Sequence, residues 1–502
     1  MPNNENLTVT TDTVIVGAGF AGLGMGIKLK RSGFDDFVII ERESDLGGAW
    51  RDNTYPGVAC DVPSHVYSYS FRTNPHWSRV RAPGSEILEY LRTCAREEGL
   101  LSYLRFDAPM DRATWDQDSG RWIVETPSVT YSARFLVTAC GHLADEKLPD
   151  LPGVDSFAGE YFHSARWNHE VSLEGKRIAL IGSGASAIQL LPELAKVGSE
   201  VVVFQRSPAY IMPSPNPVYS EADQRLFERS PDTLRALRTE TFWTAEANFA
   251  ARRGVPKYLE AGRKIPLGHL DRSVSDPELK AKLTPDYELG CKRLLGSDLY
   301  YPALQQDHVT LEASALARID GSRVISAAGN SFEVDVVVFA TGFEAAEPVF
   351  ANVVYGRDGL QLAESWSQGM TAYASNTTHG FPNLFIMNGP NTSSGHNSAI
   401  YILEAQMDYI LGAVTFAEEE GAHVLEVTSE AEAEYVADVR QRSEGTVWLD
   451  GGCRNWYVDR RTGALTLIWP DFMHAFRELN ATFEPDAYSI DTPVAAPSVS
   501  VG

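Results

Sequence analysis

Two glycine fingerprints, GAGFAG at Gly17–Gly22 and GSGASA at Gly182–Ala187, constrain this 502-residue chain more than any other feature. The first follows the apolar run Thr13-Val-Ile-Val16, opens helical periodicity at Leu23, and is succeeded by a second strand pattern, Val38-Ile-Ile-Glu41. In such a unit Gly17 allows the tight turn and Gly19 lets the backbone approach a pyrophosphate. Gly22 lets the helix lie close to the strand, and the helix N-terminus faces the phosphates. Glu41 stands 24 residues after Gly17, where a carboxylate accepts hydrogen bonds from a ribose diol. Phe20 and Arg42 are expected in the same cradle.

The second unit repeats this grammar from Arg177-Ile-Ala-Leu-Ile181 through Gly182, Gly184, Ser186 and Ala187, the alanine being a tolerated third position. Its next strand, Val201-Val-Val-Phe204, ends in Gln205-Arg206-Ser207 rather than in an acid. Arg206 stands 24 residues after Gly182, the place Glu41 holds in the first unit. A guanidinium pairs bidentately with a 2′-phosphate that a carboxylate would repel, so the second site is expected to prefer NADPH over NADH. The fold expectation is α/β, with two Rossmann-like dinucleotide-binding domains.

Composition narrows the partners. A net charge of −24 disfavours nucleic acid and anionic membrane surfaces, and 44% hydrophobic with 22% charged residues is ordinary for a globular chain. The N-terminus lacks a basic region followed by an apolar core, and no apolar run approaches the ~20 residues of a spanning helix, so a cytoplasmic protein is expected. The five cysteines (Cys60, Cys94, Cys140, Cys291, Cys453) are scattered, which spells out no metal knuckle and no redox pair. That spacing argues against an enzyme that reduces disulfides.

Further along, Gly47-Gly48 precedes Trp50, Tyr55 and Asp61, and paired glycines again indicate close backbone approach to a ligand. A helical pattern runs from Ser85 to Gly99, and Phe135–Gly141 reads as a buried strand ending in glycine. Pro149, Pro152 and Gly153 mark a linker. From Pro213 to about Leu289 the chain is rich in helix formers, with Leu226, Phe227, Leu234, Leu237 and Phe242 at helical spacing, which predicts a helical insertion. Val334–Phe343 is a buried strand ending in Thr341-Gly342, and Leu384–Pro390, containing Asn388, precedes a helix over 400–410. The tail, rich in Pro, Ser, Val and Ala, is expected to be disordered.

Between the two units lies Phe157–Trp167, FAGEYFHSARW, with Phe157, Gly159, His163 and Trp167 in the pattern F-x-G-x-x-x-H-x-x-x-W. This string resembles the fingerprint of the Baeyer–Villiger monooxygenases, which follow the tryptophan with Pro or Asp where this chain has Asn168. GGAWRDNTYPGVACD matches a second long motif of that family at every fixed position. The Lys292-Arg293 pair stands where the family carries one, and GPNTSSGHNS…EAQMDYI is similar to its 4-hydroxyacetophenone monooxygenase-like branch.

The resemblance implies FAD in the first domain and NADPH in the second, a ketone and O2 as substrates, and an ester or lactone formed through a flavin peroxide. It implies Arg293 over the flavin with Asp61 as its catalytic partner, Lys292 on the 2′-phosphate, Trp50 and Tyr55 near the isoalloxazine, and Trp456 near the nicotinamide. It implies coupling of the domains by Phe157, Gly159, His163 and Trp167. The expected boundaries are 1–150 and 381–488 for the FAD domain, 151–215 and 290–380 for the NADPH domain, 216–289 for the insertion and 489–502 for the tail. A monomer or homodimer is expected. Oxygenation of nitrogen or sulfur, or an NADPH oxidase or redox sensor without oxygenation, are the alternatives.

Overall fold

The computed structural model describes residues 7–491. In chain order the first unit contributes β1 (Leu7–Val16), α1 (Phe20–Arg31), β2 (Phe37–Ile40) and β3 (Val129–Thr138). The second contributes β4 (Glu160–His163), β5 (Arg177–Ile181), α2 (Ala185–Val197), β6 (Glu200–Phe204), β7 (Val309–Glu312) and β8 (Val336–Phe339). The chain then returns through β9 (Leu384–Ile386) and α3 (Ala399–Glu419).

In the first sheet β1 lies between β2 and β3, parallel to both, and β9 joins the far edge of β3 alongside Leu136–Thr138. Strands of such a parallel core are covered on both faces, which is why they read as unbroken apolar runs. The second sheet is wholly parallel, in the order β7–β6–β5–β8–β4. Both fingerprints therefore leave a central strand where the strand order reverses, the crevice in which open α/β sheets bind ligands. Packing enforces the glycines: a Cβ on Gly22 would sit 1.8 Å from the carbonyl oxygen of Gly17, and Gly17 itself has φ +108°.

Two boundaries differ from expectation. Val354–Tyr355 pairs with Arg112–Asp116 of the first sheet, so the chain re-enters that domain soon after Phe343 rather than at 381. The tail begins later than expected, because Tyr488–Asp491 forms a strand antiparallel to Val424–Val427. Residues 492–502 lie outside the described residues. Among the described residues no helix is long and apolar enough to cross a membrane.

The insertion is helical as expected, over Glu221–Arg229, Pro231–Glu246, Phe249–Arg252, Pro256–Ser273 and Pro277–Leu283. Its helix starts are written locally. Ser220 and Asp223 form a capping box, and proline opens three of the helices. Phe227 and Leu234 are buried, whereas Leu226 is half exposed and lies off the packed face.

One buried carboxylate, beside contacts such as Arg238 with the His65 and Ser68 carbonyls, seats the insertion on the first domain. Glu246, at the end of its helix and almost wholly buried, accepts from His396 Nε2 at 3.0 Å and Asn397 Nδ2 at 2.9 Å. Its other oxygen accepts from the Met473 amide at 3.0 Å and His474 Nδ1 at 2.9 Å. Burial alone would raise this carboxyl, but His396, Asn397 and His474 outweigh it and hold it at about 2. A depressed carboxyl contributes stability above its ordinary value of 4.5, and that contribution is lost as pH falls from there toward about 2. Glu246→Ala is expected to cost about 3–5 kcal/mol by leaving buried donors unpaired. In calorimetry across that acidic range the variant should show a lower melting temperature and a shallower acid loss.

Candidate active site

The first cradle is ready-made for a dinucleotide. The N-terminus of α1 has no side-chain cap and no acid in its first turn, so its amides are free for a phosphate. Glu41 is already fixed: one oxygen accepts from the Ala18 amide at 2.8 Å, and the other pairs with Arg51 at 3.0 Å. Gly48, with φ +53°, lies so close to Gly19 that a Cβ there would come within 3.2 Å of the Gly19 Cα. Phe20 offers this cradle only backbone, since its ring is buried edge-on against Tyr67 and Tyr69. Arg42 is turned to the strand exit, donating to Asp145 at 2.7 Å. Trp50 donates to the Tyr67 hydroxyl at 3.2 Å.

The second cradle repeats the uncapped helix start in α2, where Ser186 lies in the first turn and Ala187 is buried. Gly184 faces open space, with no atom within 4 Å of where its Cβ would be. Beside it Lys292 Nζ donates to Ser207 Oγ at 2.5 Å. Arg206 is exposed, and among the described residues neither it nor Lys292 has a carboxylate within 4 Å. Burial and the neighbouring Arg206 lower the Lys292 ammonium from its ordinary value. Two cations and a hydroxyl with no acid among them fit a phosphate dianion.

The two cradles meet at Arg293 and Asp61. Arg293 Nε and Nη2 each donate to Asp61 at 2.8 Å, a bidentate fork between a residue of the second unit and one that follows the first fingerprint. Asp61 holds this guanidinium well above its ordinary range, against the opposing effect of burial. The fork leaves Nη1 without an acceptor among the described residues. Around it the Tyr457 hydroxyl and Asn388 Oδ1 are buried without hydrogen-bond partners, and Asn388 sits at φ +55°. Unpaired buried polar atoms beside an unpaired guanidinium N–H fit a ligand-lined crevice. Burial pushes His142 down to about 4, so it adds no charge here. Trp456, about a third exposed, lies 6.0 Å from the His142 ring.

The crossing residues lie at the edge of the second sheet. Gly159 is obligatory, because a Cβ would come within 2.2 Å of the Asp335 carbonyl oxygen. His163 ends β4, its Nδ1 accepting from the Ala165 amide at 3.1 Å, and burial lowers it from its ordinary value. Trp167 packs edge-on against Phe162 at 5.0 Å, and Phe157 packs on the outer core of the second sheet. Between them Arg166 reaches Glu146 at 3.4 Å and Asp52 at 3.7 Å, tying the crossing to the first domain. Thr341 donates to the Lys147 carbonyl at 2.6 Å, and the Gly342 carbonyl accepts from the Lys147 amide at 2.9 Å.

Three features escape sequence reasoning. Tyr55 packs in the core of the second domain and donates to Gln189 on α2 at 2.8 Å, so it joins the domains. Cys291 and Cys453 form a disulfide across 162 residues, tethering the Arg293 segment to the Trp456–Tyr457 segment; the scatter of cysteines concealed it. Arg252, from the insertion, is buried beside Gly290. The one available signal was that Cys291 immediately precedes Lys292-Arg293.

Two dinucleotide cradles sharing one arginine-centred crevice define a two-cofactor oxidoreductase. Residues 14–222 match the family model described as pyridine nucleotide-disulphide oxidoreductase. Over 497 residues the chain is 39% identical to a Baeyer-Villiger monooxygenase of Streptomyces coelicolor, covering 99% of this chain and 96% of that protein. Over 484 residues it is 38% identical to one of Pseudomonas aeruginosa, covering 96% and 92%. The structure superposes on NADP+-bound cyclohexanone monooxygenase from Rhodococcus sp. Phi1 with a TM-score of 0.86, at 26% identity over 97% of this chain and 100% of that one. The chain belongs to the Baeyer–Villiger monooxygenase family.

The unpaired cations of the second cradle set a test. Arg206→Ala is expected to raise KM for NADPH about 10- to 100-fold while leaving KM for NADH nearly unchanged, the loss of one charge-assisted phosphate contact. Steady-state kinetics with both coenzymes checks this; equal changes would contradict the phosphate role.

Proposed function

We propose that this chain uses FAD and NADPH to insert one atom of O2 beside a ketone carbonyl, giving an ester or lactone. The observation that carries the reading is the Arg293–Asp61 fork at the junction of the two cradles. The residues fit both cofactors: uncapped starts of α1 and α2 for the pyrophosphates, Glu41 for a ribose, and Arg206, Ser207 and Lys292 for a 2′-phosphate. Bound FAD, reduced by NADPH, supplies the activation of O2.

Arg293 keeps its charge at any working pH, because a guanidinium does not deprotonate and Asp61 holds it further from doing so. Asp61 takes Nε and Nη2, which fixes the plane of the guanidinium and leaves Nη1 to donate to negative charge developing on the substrate oxygen. A preorganised donor of this kind is typically worth ~3–4 kcal/mol. Burial lowers His163 from its ordinary value, and its Nδ1 accepts from the Ala165 amide at the end of β4, which supports a place in the domain joint. The loop from Gly389 to Ser398 supports placement in the 4-hydroxyacetophenone monooxygenase-like branch, on its sequence alone.

Arg293→Ala is expected to retain FAD and its reduction by NADPH while ester formation falls about 10²–10³-fold, the loss of one such donor. Flavin absorbance and product chromatography measure the two separately. A normal ester yield would remove Arg293 from the mechanism.

A further inference from the structure

Within the field of Arg293 lies a second guanidinium, that of Arg252. Arg293 is paired with Asp61, but Arg252 has no carboxylate within 4 Å among the described residues. Arg252 ends the helix Phe249–Arg252 of the insertion and is only 5% exposed. Its guanidinium lies over Gly290, where a Cβ would come within 3.0 Å of Nε, three residues before Arg293. One hydrogen bond is made, from Nη2 to the Gly395 carbonyl at 3.2 Å, and its remaining N–H groups have no acceptor among the described residues.

Isolated buried charge is costly, and a guanidinium with five donors is seldom left with one bond. Burial brings Arg252 down to about 10, partly offset by Tyr457 and reinforced by Arg293, with no carboxylate acting on it. His396, which lies in the field of Arg252, is neutral or cationic and supplies no balancing charge. Tyr457, whose hydroxyl is also unpaired, lies within the fields of both Arg252 and Arg293. An anion in this place would meet Arg252 and Tyr457 at one end while the reacting group lay at Arg293.

We propose that Arg252 receives a carboxylate carried by the substrate, so that the ketones this enzyme takes are keto acids. The inference rests on the ketone-oxygenating reading for the reaction, and on geometry alone for the carboxylate. Arg252 binds the acid and Arg293 attends the carbonyl, which fixes how the ketone lies in the crevice. The helical insertion supplies the discriminating residue and the two dinucleotide domains supply the chemistry.

Octanoate titrated into the FAD-loaded enzyme with NADP+ tests the site without turnover, by flavin difference absorbance. Binding is expected in the wild type, about 10- to 100-fold weaker in Arg252→Met, and intermediate in Arg252→Lys, which keeps the charge but not the fork. Removing an unpaired buried charge does not threaten the fold, and a melting temperature at or above that of the wild type confirms it for Arg252→Met. In turnover, the kcat/KM ratio of 7-oxooctanoate to 2-octanone is expected to exceed one in the wild type and to collapse in Arg252→Met. No octanoate binding by the wild type, or equal binding by wild type and Arg252→Met, would overturn the proposal. Loss of FAD from Arg252→Met without octanoate binding to the wild type would also overturn it, and make the cofactor the missing partner. Arg252-dependent octanoate binding with neither ketone oxygenated would keep the carboxylate site and remove the Baeyer–Villiger reading instead.

Discussion

The fork between Arg293 and Asp61 is the contact on which the arrangement turns. Each partner belongs to a different dinucleotide domain, so the pair forms only when the two cradles face each other correctly. Both side chains keep roughly a third of their surface open, so the pair adds little to stability and its value lies in placement. A planar fork that occupies two nitrogens dictates where the third points. The crossing from Phe157 to Trp167 and the contacts of Tyr55 with Gln189 and of Arg166 with Asp52 and Glu146 hold the domains so that this geometry persists.

Around the fork, charge is arranged by region. The second cradle gathers Arg206 and Lys292 without an acid, as a phosphate needs. The first cradle keeps a carboxylate, Glu41, clamped by an amide and by Arg51. The insertion is seated by Glu246, whose buried charge is shared among five donors, and it carries Arg252, whose buried charge is shared with almost none. The contrast separates a cluster that holds the fold from a group that awaits a partner.

Much of this was legible in the sequence because local physics writes it there. Glycine spacing and apolar strands follow from turn geometry, and Glu41 and Arg206 lie just beyond the ends of their strands. Gly159 was visible as a fixed position, but its cause, the Asp335 carbonyl, lies far away in sequence. Long-range pairings left little local trace. The Cys291–Cys453 bridge, the early return at Val354–Tyr355 and the anchoring of Glu246 each join segments that periodicity reads separately. Arg252 stands on a charged helical stretch, and only its burial without a carboxylate distinguishes it.

That Asp61 and Arg293 act as one unit is tested most directly by a double-mutant cycle on the rate of ester formation, with Asp61→Ala, Arg293→Ala and the double variant at saturating NADPH and ketone. If the carboxylate works only by holding the guanidinium, the double variant should be as slow as Arg293→Ala and no slower, within about threefold. Losses that multiply would show two independent contributions and contradict the account.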